Sequence, residues 1–471
     1  MACHIVAWIP LRFNEEVKAL LRTPPAHSST AVLATASSRL RFEDLPPQVV
    51  TLARQCLLDV LGTMLAGARE PAARILADFT GAEVAGGPCT LVGMPGTAAA
   101  SSAALVNGTA GHALDFDDVI GTVGHPSVAV APAALAVAER TGASGRALLT
   151  AFVAGVETQA RIAAAVGPAH YARGFHSTAT FGSFGAAAAV AHLLGLDTPR
   201  TTTALAIAGT QAAGLKAVFG TMSKPLHAGR AAANGVVAGE LAVRGFTSAD
   251  DILGHAQGFA AAESDAFHAR ALSPRFGDPW HLEEVRFKTH ASCFLTHASV
   301  NALIALRAQA GFDPGEVEHI GIAVPPGHLD VCGIPEPRTG LEAKFSLTGT
   351  AALALVHRRA TPDLFTDAAT ADPAVLALRE RTAVVPDPSL SGPVAEVRVA
   401  LRDGRELRSA WDMRAPAWTE DPAEQDDALA AKFTGLAEPV LGPERAALVA
   451  RAVAGLAGLD DVRVLCRQLR A

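Results

Sequence analysis

The sequence predicts a mainly α-helical protein with a large all-helical domain and a smaller α+β domain. Three observations carry that prediction. Apolar residues recur at spacings of three and four through most of the first 275 residues, and each such run ends at or near a glycine. Only after about residue 275 does the texture change to apolar/polar alternation. The chain has 471 residues, 50% of them hydrophobic and 18% charged, ample for a buried core shared among about two or three domains.

Residues 1–30, ending in RTPPAHSST, read as an extension. After FEDLPPQ, the run VVTLARQCLLDVLGTMLAG places Val50, Ala53, Leu57, Val60 or Leu61, and Met64 on one helix face, with Gly67 as the stop. PSVAVAPAALAVAERTG, GRALLTAFVAGVETQARIAAAVG, FGSFGAAAAVAHLLGLD, TTTALAIAGTQAAG and PLHAGRAAANGVVAGELAVRG follow the same plan. Small side chains let such helices approach closely, so residues 31–275 are expected to form one helical domain. EVEHIGIAVPPG and VAEVRVALRDGRELRSA then alternate as strands, the second around an Asp-Gly turn, with helical stretches near 292–309 and 343–357 between them. Residues 276–414 are thus expected to form the α+β domain, and the helical tail, 415–471, to return to the first domain. The cleft between domains is the default place for a ligand.

The 39 Lys and Arg against 46 Asp and Glu leave a net charge of -7 with no long block of one sign, which argues against a nucleic-acid partner. Mean hydropathy is +0.27, but uncharged runs such as TTTALAIAGTQAAGL are too short and too rich in Thr, Gly and Gln to span a bilayer, so no membrane association is expected. The start, MACHIVAWIPLRFNEEVKALL, lacks a basic region ahead of its apolar stretch. Six dispersed cysteines read as thiols, and together these features point to a cytoplasmic location.

Titratable chemistry gathers in GHALDFDDVIGTVGHPS, residues 111–127. His125 precedes Pro126, Lys224 precedes Pro225, and His176 precedes Ser177 and Thr178. Proline suits the first helical position and Ser or Thr can cap it, so all three side chains are placed at helix N-termini, which attract carboxylate or phosphate. Any one of them alone is also what a capping or core histidine, or a solvated lysine, looks like. If the three ends converge, they form a pocket for a small anionic substrate with proton carriers in place. Asp115, Asp117 and Asp118 can orient a histidine or raise one another's pKa, and an Asx turn with a helix cap accounts for at least one of them. Nothing fixes the remaining ligands of a magnesium site, so no metal is assigned.

FKTHASCFLTH supplies Lys288, His290, Cys293 and His297; its H-x2-C-x3-H spacing lacks the fourth ligand of a closed zinc site. The better reading has Lys288 facing a site, Cys293 lining it and His297 packed in the following helix. Lys344 precedes another apolar helical run in EAKFSLTG. G-x-G-x-x-G, Walker, G-x-S-x-G and zinc-protease motifs are missing, which removes support for cofactor redox and phosphate-loop chemistry.

In order, DVLGTMLAG, NGTAGHALDFDD, HPSVAVAPAALAVAE, FHSTATFGSFGAAAAVAHLLGL, MSKPLHAGRAAANGVVAGELAVRGF, FKTHASCFLTH and AKFSL resemble the MmgE/PrpD family, from about residue 31 to the C-terminus. The resemblance implies a helical domain built from both ends of the chain, an α+β lid, a homodimer, and catalysis of dehydration, decarboxylation or epimerisation of small acids without metal or organic cofactor. It places the active site on Asp115, His125, His176, Lys224 and Lys288. Ser127, Cys293 and Lys344 complete the candidate set as substrate-binding residues.

Where the family's decarboxylase branch has a threonine after DFDD and a tyrosine after AKFS, this chain has Val119 and Gly349, and Cys293 stands in place of a histidine. The loss of two hydroxyls turns the expectation away from that branch's own substrate. These reactions create or consume an acidic carbon beside a carboxylate. In the resulting scheme His125, oriented by Asp115, moves the proton, His176 helps the leaving group depart, and Lys224 and Lys288 hold the anion. The leading expectation is a dehydratase of a small hydroxy-carboxylate. An epimerase or isomerase, a decarboxylase of a related acid, elimination of a phosphorylated hydroxyl, and an inactive anion-binding member stay open.

Overall fold

Alanine and glycine dominate the helical runs, and their size sets how the helices meet. The computed structural model describes residues 28–83, 86–414 and 422–471. The expected N-terminal extension lies outside these up to residue 27, and the chain is already helical at α1, Ser29–Arg39. Ser28 caps that helix by accepting from the Ala31 N–H, while Asp251 accepts from the Thr30 N–H and hydroxyl at 3.0 and 2.9 Å. The helical domain therefore begins a few residues earlier than the sequence boundary.

Next come α2 (Pro47–Gly67), α3 (Pro71–Glu83), α4 (Ala100–Ala113), α5 (Pro126–Thr141), α6 (Gly145–Val166), α7 (Ser177–Leu193), α8 (Thr198–Gly209) and α9 (Ser223–Val243). Proline opens α2, α3 and α5 at a position where its missing N–H costs nothing. By length and composition α2 is apolar enough to cross a membrane, yet its Leu52, Val60, Met64 and Leu65 are buried with Val128, Phe152, Phe181 and Phe184 in the main core.

The closest crossings are backbone on backbone. A Cβ on Gly229 of α9 would fall 2.2 Å from the Leu105 carbonyl oxygen of α4, and one on Gly155 of α6 would fall 2.6 Å from the Gly185 carbonyl oxygen of α7. Glycine is the residue that permits such approach. Tight packing of α4, α5, α7 and α9 brings the starts of α5, α7 and α9 to one place.

The second domain holds α10 (His297–Ala310), β1 (Val317–Val324), α11 (Leu347–His357), α12 (Pro373–Glu380), β2 (Thr382–Pro386), β3 (Val394–Leu401) and β4 (Glu406–Asp412). The sheet order is β2-β1-β3-β4, with β1 parallel to β2 and antiparallel to β3. The Asp-Gly hairpin forms as read, registering Val394 with Asp412 and Ala400 with Glu406. Alternation makes one face apolar, and Ile320, Ile322, Val397 and Val399 pack there against Val300, Leu303 and Leu353 of α10 and α11.

The tail forms α13 (Pro422–Leu441) and α14 (Pro443–Ala454). It returns to the first domain, where Phe433 lies against Gly62 of α2. Helix α13 also serves the second domain, since Leu429 and Phe433 join the main core and Leu436 joins the core under the sheet.

Candidate active site

Helix α4 ends with His112 in its last turn, and the chain then turns through Asp115 in the left-handed region at φ 50°. That conformation is uncommon for a non-glycine residue but tolerated by Asp. The loop that follows is buried through Ile120, reaches the surface at Gly121 and Thr122, and is pinned to the second domain by paired backbone hydrogen bonds of 2.8 Å between Val119 and Arg286. It ends at His125, the N-cap of α5. His176 is the N-cap of α7, its backbone N–H donated to the Gly214 carbonyl at 2.9 Å, and Lys224 is the second residue of α9.

These helix starts converge. Lys224 Nζ and Lys288 Nζ both donate to Asp115 Oδ1, at 2.9 and 2.7 Å. Lys288 Nζ also donates to the Asp115 and Ser292 carbonyls at 3.0 and 2.9 Å. His125 Nε2 lies 3.6 Å from Asp115 Oδ1, and its Nδ1 lies 3.0 Å from Asp117 Oδ2. His112 Nδ1 is 2.9 Å from Asp117 Oδ1. The His112 ring centroid is 4.4 Å from that of His125 and 5.9 Å from that of His176. Phe219 and Phe345, with centroids 5.3 Å apart, close over Lys224 where the two domains meet.

Burial and charge then set the protonation states. Burial alone would raise the Asp115 carboxyl, but Lys224 and Lys288 hold it well below the usual carboxylate range. Asp117 is also lowered, its burial outweighed by the His112 and His125 ring nitrogens that lie 2.9 and 3.0 Å from its two oxygens. Burial lowers His125, and burial with Lys224 lowers His176 much further, so both imidazoles rest neutral and able to accept a proton. For a base whose pKa is depressed, the active form persists as pH falls through 6.5 and is lost only below it. The kcat/KM profile, corrected for substrate ionisation, is therefore expected to stay flat down through pH 6.5 before its acid limb begins. An acid limb centred at or above 6.5 would contradict a depressed His125.

Behind the loop, Lys432 of α13 donates to the Phe116 and Lys288 carbonyls at 2.7 and 2.9 Å and pairs with Asp59 Oδ1 at 2.7 Å. Asp118 accepts from the Ser127 hydroxyl at 2.5 Å and from its backbone N–H at 3.3 Å. Burial, together with Asp59, pushes Asp118 up to about 7.

Asp115, His125, His176, Lys224 and Lys288 thus come together, while four details differ from the sequence reading. The carboxylate in position to orient His125 is Asp117 instead of Asp115, because the left-handed turn sends Asp115 toward the two lysines. Ser127 is not placed to bind substrate, since its buried hydroxyl is given to Asp118. Lys344 is likewise engaged elsewhere: its Nζ donates to the Leu114 and Ala291 carbonyls at 2.7 and 2.8 Å, and burial drops its pKa to about 7. Finally, a side chain at Gly349 would start 2.9 Å from Pro337, so that position is not an obvious source of a hydroxyl for the hollow.

Cys293 is half-buried beside the Cys332 thiol, whose hydrogen bond lowers its pKa. His290 lies 2.7 Å from Asn301 Oδ1 and His297 3.3 Å from the Ser292 carbonyl, both roles internal to the fold. The sequence reading left His112 and His227 out. His112 was recoverable from its place five residues before Asp117, and His227 from its place one helical turn after Lys224.

A cavity of about 1220 Å³ lies between the domains, lined by Phe116, Lys288, Trp411, Lys432 and Leu436 among others. It reaches the loop from behind and touches neither His125 nor His176. The site is therefore assigned to the cluster where the titratable groups converge, not to this cavity. His112, Asp115, Asp117 and His125 offer four potential ligand atoms within 4.8 Å of one another. Two ammonium groups on Asp115 Oδ1 oppose a divalent ion at that spot, so the donor set fits a cation poorly.

Residues 31–271 match the model of the MmgE/PrpD N-terminal domain, and residues 290–456 that of the MmgE/PrpD C-terminal domain. Cis-aconitate decarboxylase of Homo sapiens is 29% identical over 466 residues, covering 94% of this chain and 95% of its own. The Mus musculus enzyme of the same name is 29% identical over 455 residues, covering 92% and 91%. A cis-aconitate decarboxylase-like protein of Aspergillus oryzae is 27% identical over 474 residues, covering 94% and 97%.

Proposed function

The chain belongs to the MmgE/PrpD family, and from that premise we propose that it is a lyase for a small hydroxy-polycarboxylate, expelling water after removing a proton from the carbon beside a carboxylate. The observation that carries this reading is the pair of neutral imidazoles, His125 and His176, beside an Asp115–Lys224–Lys288 cluster. A neutral imidazole is a base, which suits a reaction that begins by breaking C–H. The starts of α5 and α7, with Lys224, supply donors for the substrate carboxylates. His125 Nε2 takes the proton, and the electron pair moves into the adjacent carboxylate, whose growing charge the lysines stabilise. His176 protonates the departing hydroxyl as the C–O bond breaks and the alkene forms.

Decarboxylation is the second reading, favoured by the names of the relatives that match more than nine-tenths of the chain. The same lysines would stabilise the carbanion left when C–C breaks. Val119 and Cys293, which replace polar or basic groups of that branch, argue for a different acid.

Incubation with a panel of di- and tricarboxylates in D2O, followed by NMR, separates the readings. Water loss with a new alkene and no bicarbonate is the expected result. Bicarbonate release with deuterium on the product carbon would establish decarboxylation, and exchange alone would establish epimerisation. Binding of every acid without turnover would overturn the assignment of an enzyme.

A further inference from the structure

We infer that His227 is the relay through which His176 exchanges its proton with solvent. The inference rests on the proposed reading, in which His176 gives a proton to the leaving group and must regain one before the next turnover. His176 Nδ1 lies 3.1 Å from His227 Nδ1. Two ring nitrogens at that distance share one proton, since two lone pairs or two N–H groups would repel.

Packing leaves His176 few other routes. Its residue is 3% exposed, and its ring is held between His112, stacked at 5.9 Å, and the edge of Phe219 at 4.9 Å. His112 provides no exit: its Nδ1 is engaged by Asp117, and its buried Nε2 has no hydrogen-bond partner among the described residues. Of the four rings in the group, His112, His125, His176 and His227, only the last is more than marginally open to solvent.

The backbone is shaped around this pair. Gly214, at φ 158°, accepts the His176 N–H and leaves the space His227 occupies: a Cβ there would sit 3.2 Å from His227 Nδ1 and 2.6 Å from the Ala179 Cβ. Helix α9 carries both Lys224 and, three residues on, His227, so the anion-holding group and the relay share one rigid support.

The step balances. As His176 Nε2–H passes to the leaving hydroxyl, the proton on His227 Nδ1 crosses to His176 Nδ1, and His227 Nε2 takes one from solvent water, leaving hydroxide. As product leaves, water entering the site carries the carbon-derived proton from His125 to His176 Nε2, the shared proton returns to His227 Nδ1, and His227 Nε2 gives its proton to the hydroxide, so each ring regains its starting form and no net proton is consumed. Decarboxylation or epimerisation through His176 would require the same resupply, so the relay can be judged whichever reaction the acid panel reveals.

Two variants of the full chain test it. His227→Gln keeps a hydrogen-bonding group near His176 Nδ1 but cannot pass a proton through, whereas His227→Phe removes the bond. Both are expected to lower kcat at least about tenfold in dilute buffer with KM changed less than about twofold, and added imidazole is expected to restore kcat in proportion to its concentration. Unchanged kcat in dilute buffer, or a loss that imidazole does not repair, would overturn the relay. Ring-15N NMR of histidine-labelled protein gives a readout independent of turnover: His176 Nδ1 is expected to shift in His227→Phe, and an unchanged signal would also overturn it.

Discussion

His125→Gln is expected to lower kcat by about 10²–10⁴-fold, the range for loss of a positioned general base, while leaving the protein folded. The backbone N–H of residue 125 donates to the Thr178 hydroxyl at 3.1 Å, and this bond survives the substitution. A glutamine amide can still meet Asp117, so the buried carboxylate keeps a partner. What disappears is the basic Nε2 facing Asp115 and the hollow. Steady-state kinetics with the active acid, alongside urea unfolding, makes the check. A kcat within tenfold of wild type would remove His125 from the mechanism.

Asp115→Asn is expected to damage both fold and activity. The carboxylate lies between two buried ammonium groups, and removing its charge leaves both without that partner. Breaking a buried pair in this way costs about 3–5 kcal/mol. Lys288 retains the Asp115 and Ser292 carbonyls, whereas Asp115 Oδ1 is the only hydrogen-bond acceptor of Lys224 Nζ found among the described residues. Adding Lys224→Met to Asp115→Asn is therefore expected to return part of the stability without returning activity, a coupling that a double-mutant cycle measures. Urea unfolding of Asp115→Asn indistinguishable from wild type would refute the idea that this ion cluster braces the domain junction.

Much of this architecture was legible in the residues because the relevant signals are local. Periodicity and glycine stops marked α2 and α5 to α9, and alternation around Asp403-Gly404 marked the hairpin. The helix-start rule found His125, His176 and Lys224 because a proline or a capping hydroxyl stands beside each. The rest depended on direction and distance. Aspartate at 115 does not announce a left-handed turn as glycine would, so the exchange of roles between Asp115 and Asp117 stayed hidden. Ser127 and Lys344 are the right residue types near the right elements, but a carboxylate and two carbonyls claim their polar atoms first. Lys432 could not be connected with Lys288 by any pattern, since the two meet only through tertiary packing.

That last contact has a consequence for the order in which the protein comes into being. Synthesis proceeds from the N-terminus, and early segments can fold while later ones are still being made. A nascent chain that has emerged only as far as α12 already carries Asp115, His125, His176, Lys224 and Lys288, yet it lacks the ammonium group that holds the Phe116 and Lys288 carbonyls from behind. Asp59, deep in α2, meanwhile waits for its counter-charge. Competence is thus deferred until α13 leaves the ribosome, and a product cut short before it would possess the reacting groups without the means to hold them in register.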